Sequence, residues 1–254
     1  MTNAEEPTPA TILTSPAPYA RVKQAVVERA LALIGNGVDR LPAEEELSKQ
    51  LGVSRATLRS ALLALQLEGK ISRLHGVGTL INRHALGIGA NLAEDLPFLE
   101  VIERSGATPA IEIARMEPAP LPQAVAQRLG LAAGEPAMVI ERLFRASGHP
   151  VVLSRDHVPE QLVRAGGDPG EAGSSVFAFL RDRTGRSVRY SVAHIGAVAA
   201  SDAVGRLLEV DTGAPLLVLD HLHIDERDHP VAVTEAFVRS DRLGFAVVRA
   251  ARER

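Results

Sequence analysis

LPAEEELSKQLGVSRATLRSALLALQLEGKISRLHGVGTLI, residues 41–81, decides the fold of the first half of the chain. Pro42 opens a helix whose first turn holds Glu44, Glu45 and Glu46, acids set against the positive end of the helix dipole. That helix stops at Leu51-Gly52, and only Gly52-Val53-Ser54 separates it from the next. Gly52 supplies a left-handed turn and Ser54 an N-cap, so the two short helices form a helix-turn-helix. The second of them is expected over Arg55–Glu68, with Leu58, Ala61, Leu62 and Leu65 as its buried stripe. Arg55 and Arg59 stand four residues apart and share a face beside that stripe. They lie in the first half of the helix, the part that meets base edges in the major groove, and arginine bonds guanine O6 and N7 in pairs. Two ordinary surface arginines would have the same spacing; the tight glycine turn favours the DNA-reading interpretation.

Working outward, Gly69 ends this helix. Ile71–Leu74 and Thr79–Ile81 are strand-like and flank His75-Gly76-Val77-Gly78, which predicts a hairpin, or wing, decorated by Arg73, His75 and Arg83. Wings of this kind touch phosphates or reach the minor groove. Upstream, Val22, Ala25, Val26, Ala30 and Leu33 recur at helical spacing over Tyr19–Gly35, and Asn36-Gly37 stops the helix.

Composition agrees with a polyanion partner for this part alone. Residues 19–85 hold ten Lys/Arg against six Asp/Glu, whereas residues 86–254 hold eighteen Arg against twenty-three acids, within a chain of net charge −3. All three lysines, Lys23, Lys49 and Lys70, are in the basic segment. A balance of +4 over 67 residues also arises by chance in many domains; with six Phe, two Tyr and no Trp, the chain is poorly supplied for stacking single-stranded bases. The absence of cysteine excludes disulfides, thiolate metal sites and cysteine nucleophiles. No apolar run reaches the roughly 18 residues of a membrane span. The start MTNAEEPTPATILTSPAP lacks a signal peptide's basic end and apolar core. Residues 1–18 are therefore expected to be a disordered tail and the protein to be cytoplasmic.

The stretch 41–81 resembles the N-terminal DNA-binding domain of the GntR family of bacterial transcription regulators, over its whole length and without gaps. The resemblance implies that Ser54, Arg55, Thr57 and Arg59 contact DNA from the recognition helix, and that His75 and Gly76 form the wing tip. One position departs from the pattern. Glu45 stands where the family often has an arginine, so the operator sequence is expected to differ from the common one.

Residues 86–96 have no clear period and read as a linker. Beyond them the chain repeats at an offset of 79 residues: VAQRLGLAAGEPAMVIERLF (125–144) aligns with VGRLLEVDTGAPLLVLDHLH (204–223). Each copy reads as helix, Gly-x-Pro turn and strand, and each strand is followed by a turn and His-Pro-Val, at His149-Pro150-Val151 and His229-Pro230-Val231. This predicts an α+β domain over 97–254 with two related helix-hairpin halves, giving a two-domain α+β chain. The pattern resembles the UTRA effector-binding domain of the HutC subfamily, whose fold is related to chorismate lyase. Gly106-Ala107-Thr108-Pro109, Leu129-Gly130-Leu131, Ser175-Val176-Phe177 and Asp241-Arg242 carry the rest of the resemblance.

In members that bind phosphosugars, two arginines on one strand, a serine and a tyrosine two positions later surround the phosphate. In this chain those positions are Arg142, Phe144, Ser175 and Phe177, while a glutamate and a tyrosine that hold the sugar fall at Ala232 and Val238. One cation and one hydroxyl remain, too few donors for a phosphate dianion. The expectation is an effector with one anionic group and an apolar body, not an unmodified phosphosugar. Arg155, His157 and Glu235 are further effector-binding candidates, as are His194 and His221; Arg155 and His157 share a strand face. His221-Leu222-His223 is read as ordinary strand, and neither a metal nor a cofactor is expected.

The resemblance implies a homodimer binding a palindromic operator, with release controlled by a small molecule, and a repressor is expected. An enzyme would need converging acid-base or electrophilic groups in a closed cavity, of which only Arg142 can be assembled. A ligand-free dimerisation domain is the other alternative, and the retained Arg142 and Ser175 speak against it.

Overall fold

The computed structural model describes residues 18–74, 76–88, 90–92, 94–163 and 174–249. Residues 1–17, which make up nearly all of the expected tail, and His75 lie outside the described residues. The chain divides into two compact units: the described residues up to Gly87 together with Val248 and Arg249, and Ile88–Val247.

The first unit comprises α1 (Pro18–Gly35), α2 (Glu44–Leu51), α3 (Arg55–Leu67), β1 (Ile71–Leu74), β2 (Gly78–Ile81) and the short α4 (Arg83–Leu86). Val22, Val26 and Ala30 of α1 pack with Leu47 of α2, with Leu58, Ala61, Leu62 and Leu65 of α3, and with Ile71 and Ile81 of the hairpin. Gly52 adopts the left-handed conformation (φ 65°, ψ 31°); its N–H donates to the Lys49 carbonyl at 3.2 Å, and the Val53 N–H donates to the Ser48 carbonyl at 3.1 Å. Ser54 caps α3 by accepting the Thr57 N–H at 3.1 Å. β1 and β2 pair antiparallel from Ile71↔Ile81 to Leu74↔Gly78, so the wing is present. Arg83 does not decorate it: Asn82 turns the chain and Arg83 starts α4.

The second unit comprises α5 (Phe98–Arg104), β3 (Pro109–Pro120), α6 (Gln123–Leu129), β4 (Pro136–Ala146) and β5 (His149–Pro159). A single 3-10 turn at Glu160–Leu162 follows, then α7 (Val176–Thr184), β6 (Val188–Ala199), α8 (Asp202–Leu208), β7 (Pro215–Asp225) and β8 (Pro230–Val238). The strands form one six-stranded antiparallel sheet in the order β3-β4-β5-β8-β7-β6. The sequence repeat is therefore larger than the helix-hairpin unit. It is α-β-α-β-β twice, and β6 (188–199) follows β3 (109–120) at the same offset of 79. β5 and β8 meet at the centre, while β3 and β6 are the exposed outer strands.

The halves interlock because α6 and α8 each cover strands of the other half. Val125, Ala126 and Leu129 of α6 pack on Leu222 and Val233, while Val204 and Leu208 of α8 pack on Leu143 and Leu153. On the other sheet face, Val101 and Ile102 of α5 reach Leu219, Ala236 and Val238, and Phe179 and Leu180 of α7 reach Ile140 and Val158. The expected linker is partly built into this unit. Ala90 and Asn91 are buried, and Leu92 N–H donates to the Ala246 carbonyl at 2.8 Å.

Candidate functional site

On the first unit, Arg55 and Arg59 project outward from the exposed side of α3, opposite its buried leucines. Arg59 is oriented. Its Nε donates to Glu44 Oε2 at 2.7 Å, while Arg73 Nη2 from the wing donates to Glu44 Oε1 at 2.9 Å. One carboxylate thus ties the recognition helix to the wing, and the Arg59 hydrogen bond holds the Glu44 carboxyl below its ordinary range. The side chain of Arg59 remains 61% exposed, so its outer guanidinium nitrogens still face solvent. Thr57 Oγ1 shares a 2.8 Å hydrogen bond with Ser54 Oγ, and Gly76 is an exposed left-handed glycine (φ 74°) at the hairpin tip.

Two of the three lysines do not serve this surface. Lys23 and Lys70 both bind the largely buried carboxylate of Glu68, at 2.6 and 2.9 Å, and so join α1, the end of α3 and the start of β1. The outward positive charge of the unit is carried mainly by arginine. The basic balance of the segment overstated it, because a charge count does not separate paired from outward-facing groups.

The second unit holds a cavity on the sheet face covered by α5 and α7. Strand alternation brings Arg142 and Phe144 together there, as expected, and the start of α7 adds Ser175 and Phe177. Phe98 meets Phe144 at 5.2 Å between ring centroids. Arg155, His157 and Glu235 do not join them, because they occupy the alternate positions of β5 and β8 and point to the opposite face. There Arg155 Nε donates to Glu141 Oε1 at 2.7 Å. His157 Nε2 stands 3.9 Å from Glu235 Oε2, beyond hydrogen-bond range. His194, paired with Asp220 across β6 and β7, lies on that same face, whereas His221 lines the cavity.

The expectation that Arg142 offers an uncompensated positive charge does not hold. Its side chain is fully buried and its Nη1 donates to Asp156 Oδ2. Thr234 Oγ1 donates to Asp156 Oδ1 at 2.5 Å. That spends the Thr234 proton, so Thr234 Oγ1 accepts from His223 Nε2 at 2.9 Å. His223 Nδ1 is then an acceptor, and Ser191 Oγ donates to it at 2.7 Å. Burial, helped by the His221 and Arg128 charges, pushes His223 down to about 3, so it is neutral at physiological pH and a poor base. Burial also pushes the Asp156 carboxyl up, with Arg142 and Thr234 pulling against it. His221 and His223 stack at 5.7 Å, and both nitrogens of His223 are engaged, so the pair does not converge on a metal.

Comparison with known families places both units. The UTRA domain family matches residues 104–243, and the family described as bacterial regulatory proteins, gntR family, matches residues 18–81. The chain belongs to the gntR family, in its UTRA-bearing HutC branch. This gntR protein is 29% identical to the HTH-type transcriptional regulator Rv0792c of Mycobacterium tuberculosis, over 82% of this chain and 77% of that one. It is 25% identical to the HTH-type transcriptional repressor PhnF of Mycolicibacterium smegmatis, over 89% of this chain and 92% of that one. The crystal structure of YydK from Bacillus subtilis shares the fold, with a TM-score of 0.71 at 16% identity, covering 92% of this chain and all of that one. The chain is a DNA-binding transcriptional regulator, and its relatives are regulators, not enzymes. Among its described residues no helix is long and apolar enough to cross a membrane.

Sequence reasoning about this gntR chain missed Glu44 as a bridge, and missed Asp156, Thr234, Ser191 and Phe98 in the cavity. Only Glu44 had a local signal, as a first-turn acid. The others carry no motif, and their meeting depends on strand register and helix docking.

Proposed function

We propose that this regulator is an effector-responsive repressor that binds a palindromic operator as a homodimer and is released by a small molecule held in the second unit. The observation that carries the reading is the aromatic-lined cavity with a closed polar floor in the UTRA part of a chain whose other part presents two outward arginines on α3, one of them oriented by Glu44. In this reading Ser54, Arg55, Thr57, Arg59, Arg73 and Gly76, together with His75, meet DNA. Arg142, Phe144, Ser175 and Phe177 contribute to the effector site. Arg155, His157 and Glu235 are left out because they face away from the cavity. An unmodified phosphosugar remains a poor match, since Phe144 and Phe177 are apolar and Arg142 is already paired.

The dimer follows from half-site logic: two recognition helices reading successive major grooves lie one helical turn apart, on the order of 34 Å. It is supported by the outer strand β6, which leaves Val192, Ile195 and Val198 exposed at a sheet edge. For an effector to release DNA it must bind the two forms unequally. The test is fluorescence anisotropy on the promoter-proximal palindrome, with light scattering for the stoichiometry, while metabolites that stabilise the protein thermally are titrated in. Weakened operator binding by a dimer is expected. A bound ligand that leaves operator affinity unchanged, or a monomer on a single half-site, rules the mechanism out.

A further inference from the structure

The ionised groups lining the cavity are largely answered from within the protein. Arg142 is held by Asp156, and Glu94 accepts from Arg104 Nη1 at 2.9 Å. The remaining charged lining residue among those described is Asp95, which is exposed and disfavours an anion. The start of α7 at Ser175 and Val176 presents the positive end of a helix to the same space and disfavours a cation. An ion of either sign would therefore lose its hydration without gaining a full counter-charge.

The polar groups still available to a ligand are of a different kind. Ser154 is only 3% exposed, lines the cavity, and its hydroxyl makes no hydrogen bond to another described residue. His221 also lines it without such a bond, and burial holds its ring below the usual histidine range despite Asp95 and Asp220. A serine hydroxyl and a neutral imidazole each offer one donor and at least one acceptor. Ser191 and Thr234 have already committed their protons and can only accept. Around this floor stand the rings of Phe98, Phe144, Phe177 and Phe245. We propose that the cavity takes an uncharged ligand, an aromatic or bulky apolar body bearing one group that both donates and accepts hydrogen bonds, such as a carboxamide. The proposal rests on the reading of this cavity as the effector site, and it replaces the anionic group expected from Arg142.

The test is isothermal titration of the full chain near neutral pH with three molecules of one shape: hydrocinnamamide, hydrocinnamate and phenylpropylammonium. The amide is expected to bind about tenfold tighter than either ion, a difference of one decade in Kd. Ser154→Ala is expected to weaken the amide about fivefold, the size of one neutral hydrogen bond. Asp156→Asn is expected to turn the preference toward the carboxylate by leaving Arg142 without its counter-charge; if that variant does not fold, Ser154→Ala and the wild-type ranking decide. Tightest binding by either ion, no saturable binding of the amide, or no effect of Ser154→Ala overturns the proposal. Selective amide binding that leaves operator affinity unchanged upholds the cavity chemistry and defeats the regulatory reading instead.

Discussion

Glu44→Gln isolates the contribution of one carboxylate to DNA reading. The change keeps the shape of the side chain and removes the charge that Arg59 and Arg73 share at 2.7 and 2.9 Å. All three groups are partly solvated, so the two pairs together stabilise the winged unit by about 1 kcal/mol, which is a few degrees of Tm for a domain this small. The effect on DNA is expected to be larger and of mixed sign. Two released guanidinium groups can each neutralise one more phosphate, which steepens the salt dependence of binding to random duplex by up to about 2 in log–log slope. Arg59 loses its fixed approach to base edges, and since a bidentate arginine discriminates by about 1–3 kcal/mol, the specific-to-random affinity ratio is expected to fall about tenfold. Fluorescence anisotropy on operator and scrambled duplexes over a salt series reads both quantities. An unchanged ratio with an unchanged slope refutes the idea that Glu44 orients these arginines.

Arg55→Ala is expected to cost about 1–3 kcal/mol on the operator with little change in thermal stability, since Arg55 is exposed on α3; equal loss on random DNA would make it a phosphate contact only. His223 is held near 3 in the fold against 6.5 unfolded, so the unfolded chain takes up the proton first and stability falls as pH drops below 6.5. Between about pH 7.5 and about pH 5 this group alone is expected to remove about 2 kcal/mol, read as a urea midpoint, and His223→Gln should flatten that dependence. Gly205→Ala sets helix propensity against packing. The added Cβ would lie 2.8 Å from the Val210 carbonyl oxygen, a backbone atom that cannot swing aside. A net loss of about 1–2 kcal/mol is expected in spite of alanine's better helix propensity, and a raised urea midpoint would contradict it.

The sequence by itself determined the helix-turn-helix, the wing and the two helix-hairpin cores of the repeat. Each of these is written in short-range chemistry: a left-handed Gly52, a capping Ser54, a switch from helical to strand period at Gly134-Glu135-Pro136 and Gly213-Ala214-Pro215. It was silent on β3 and β6 because outer strands with solvent on much of their surface carry no clean alternation, so the repeat looked shorter than it is. Tertiary structure alone decided which charges answer one another. Arg142 and Asp156 are 14 residues apart, and Thr234 reaches Asp156 across 78. Arg73 meets Glu44 across 29 residues. A count of cations along the chain cannot register such pairs, because a charge is cancelled by whatever packing brings within a few ångströms, and strand register, not sequence distance, sets that.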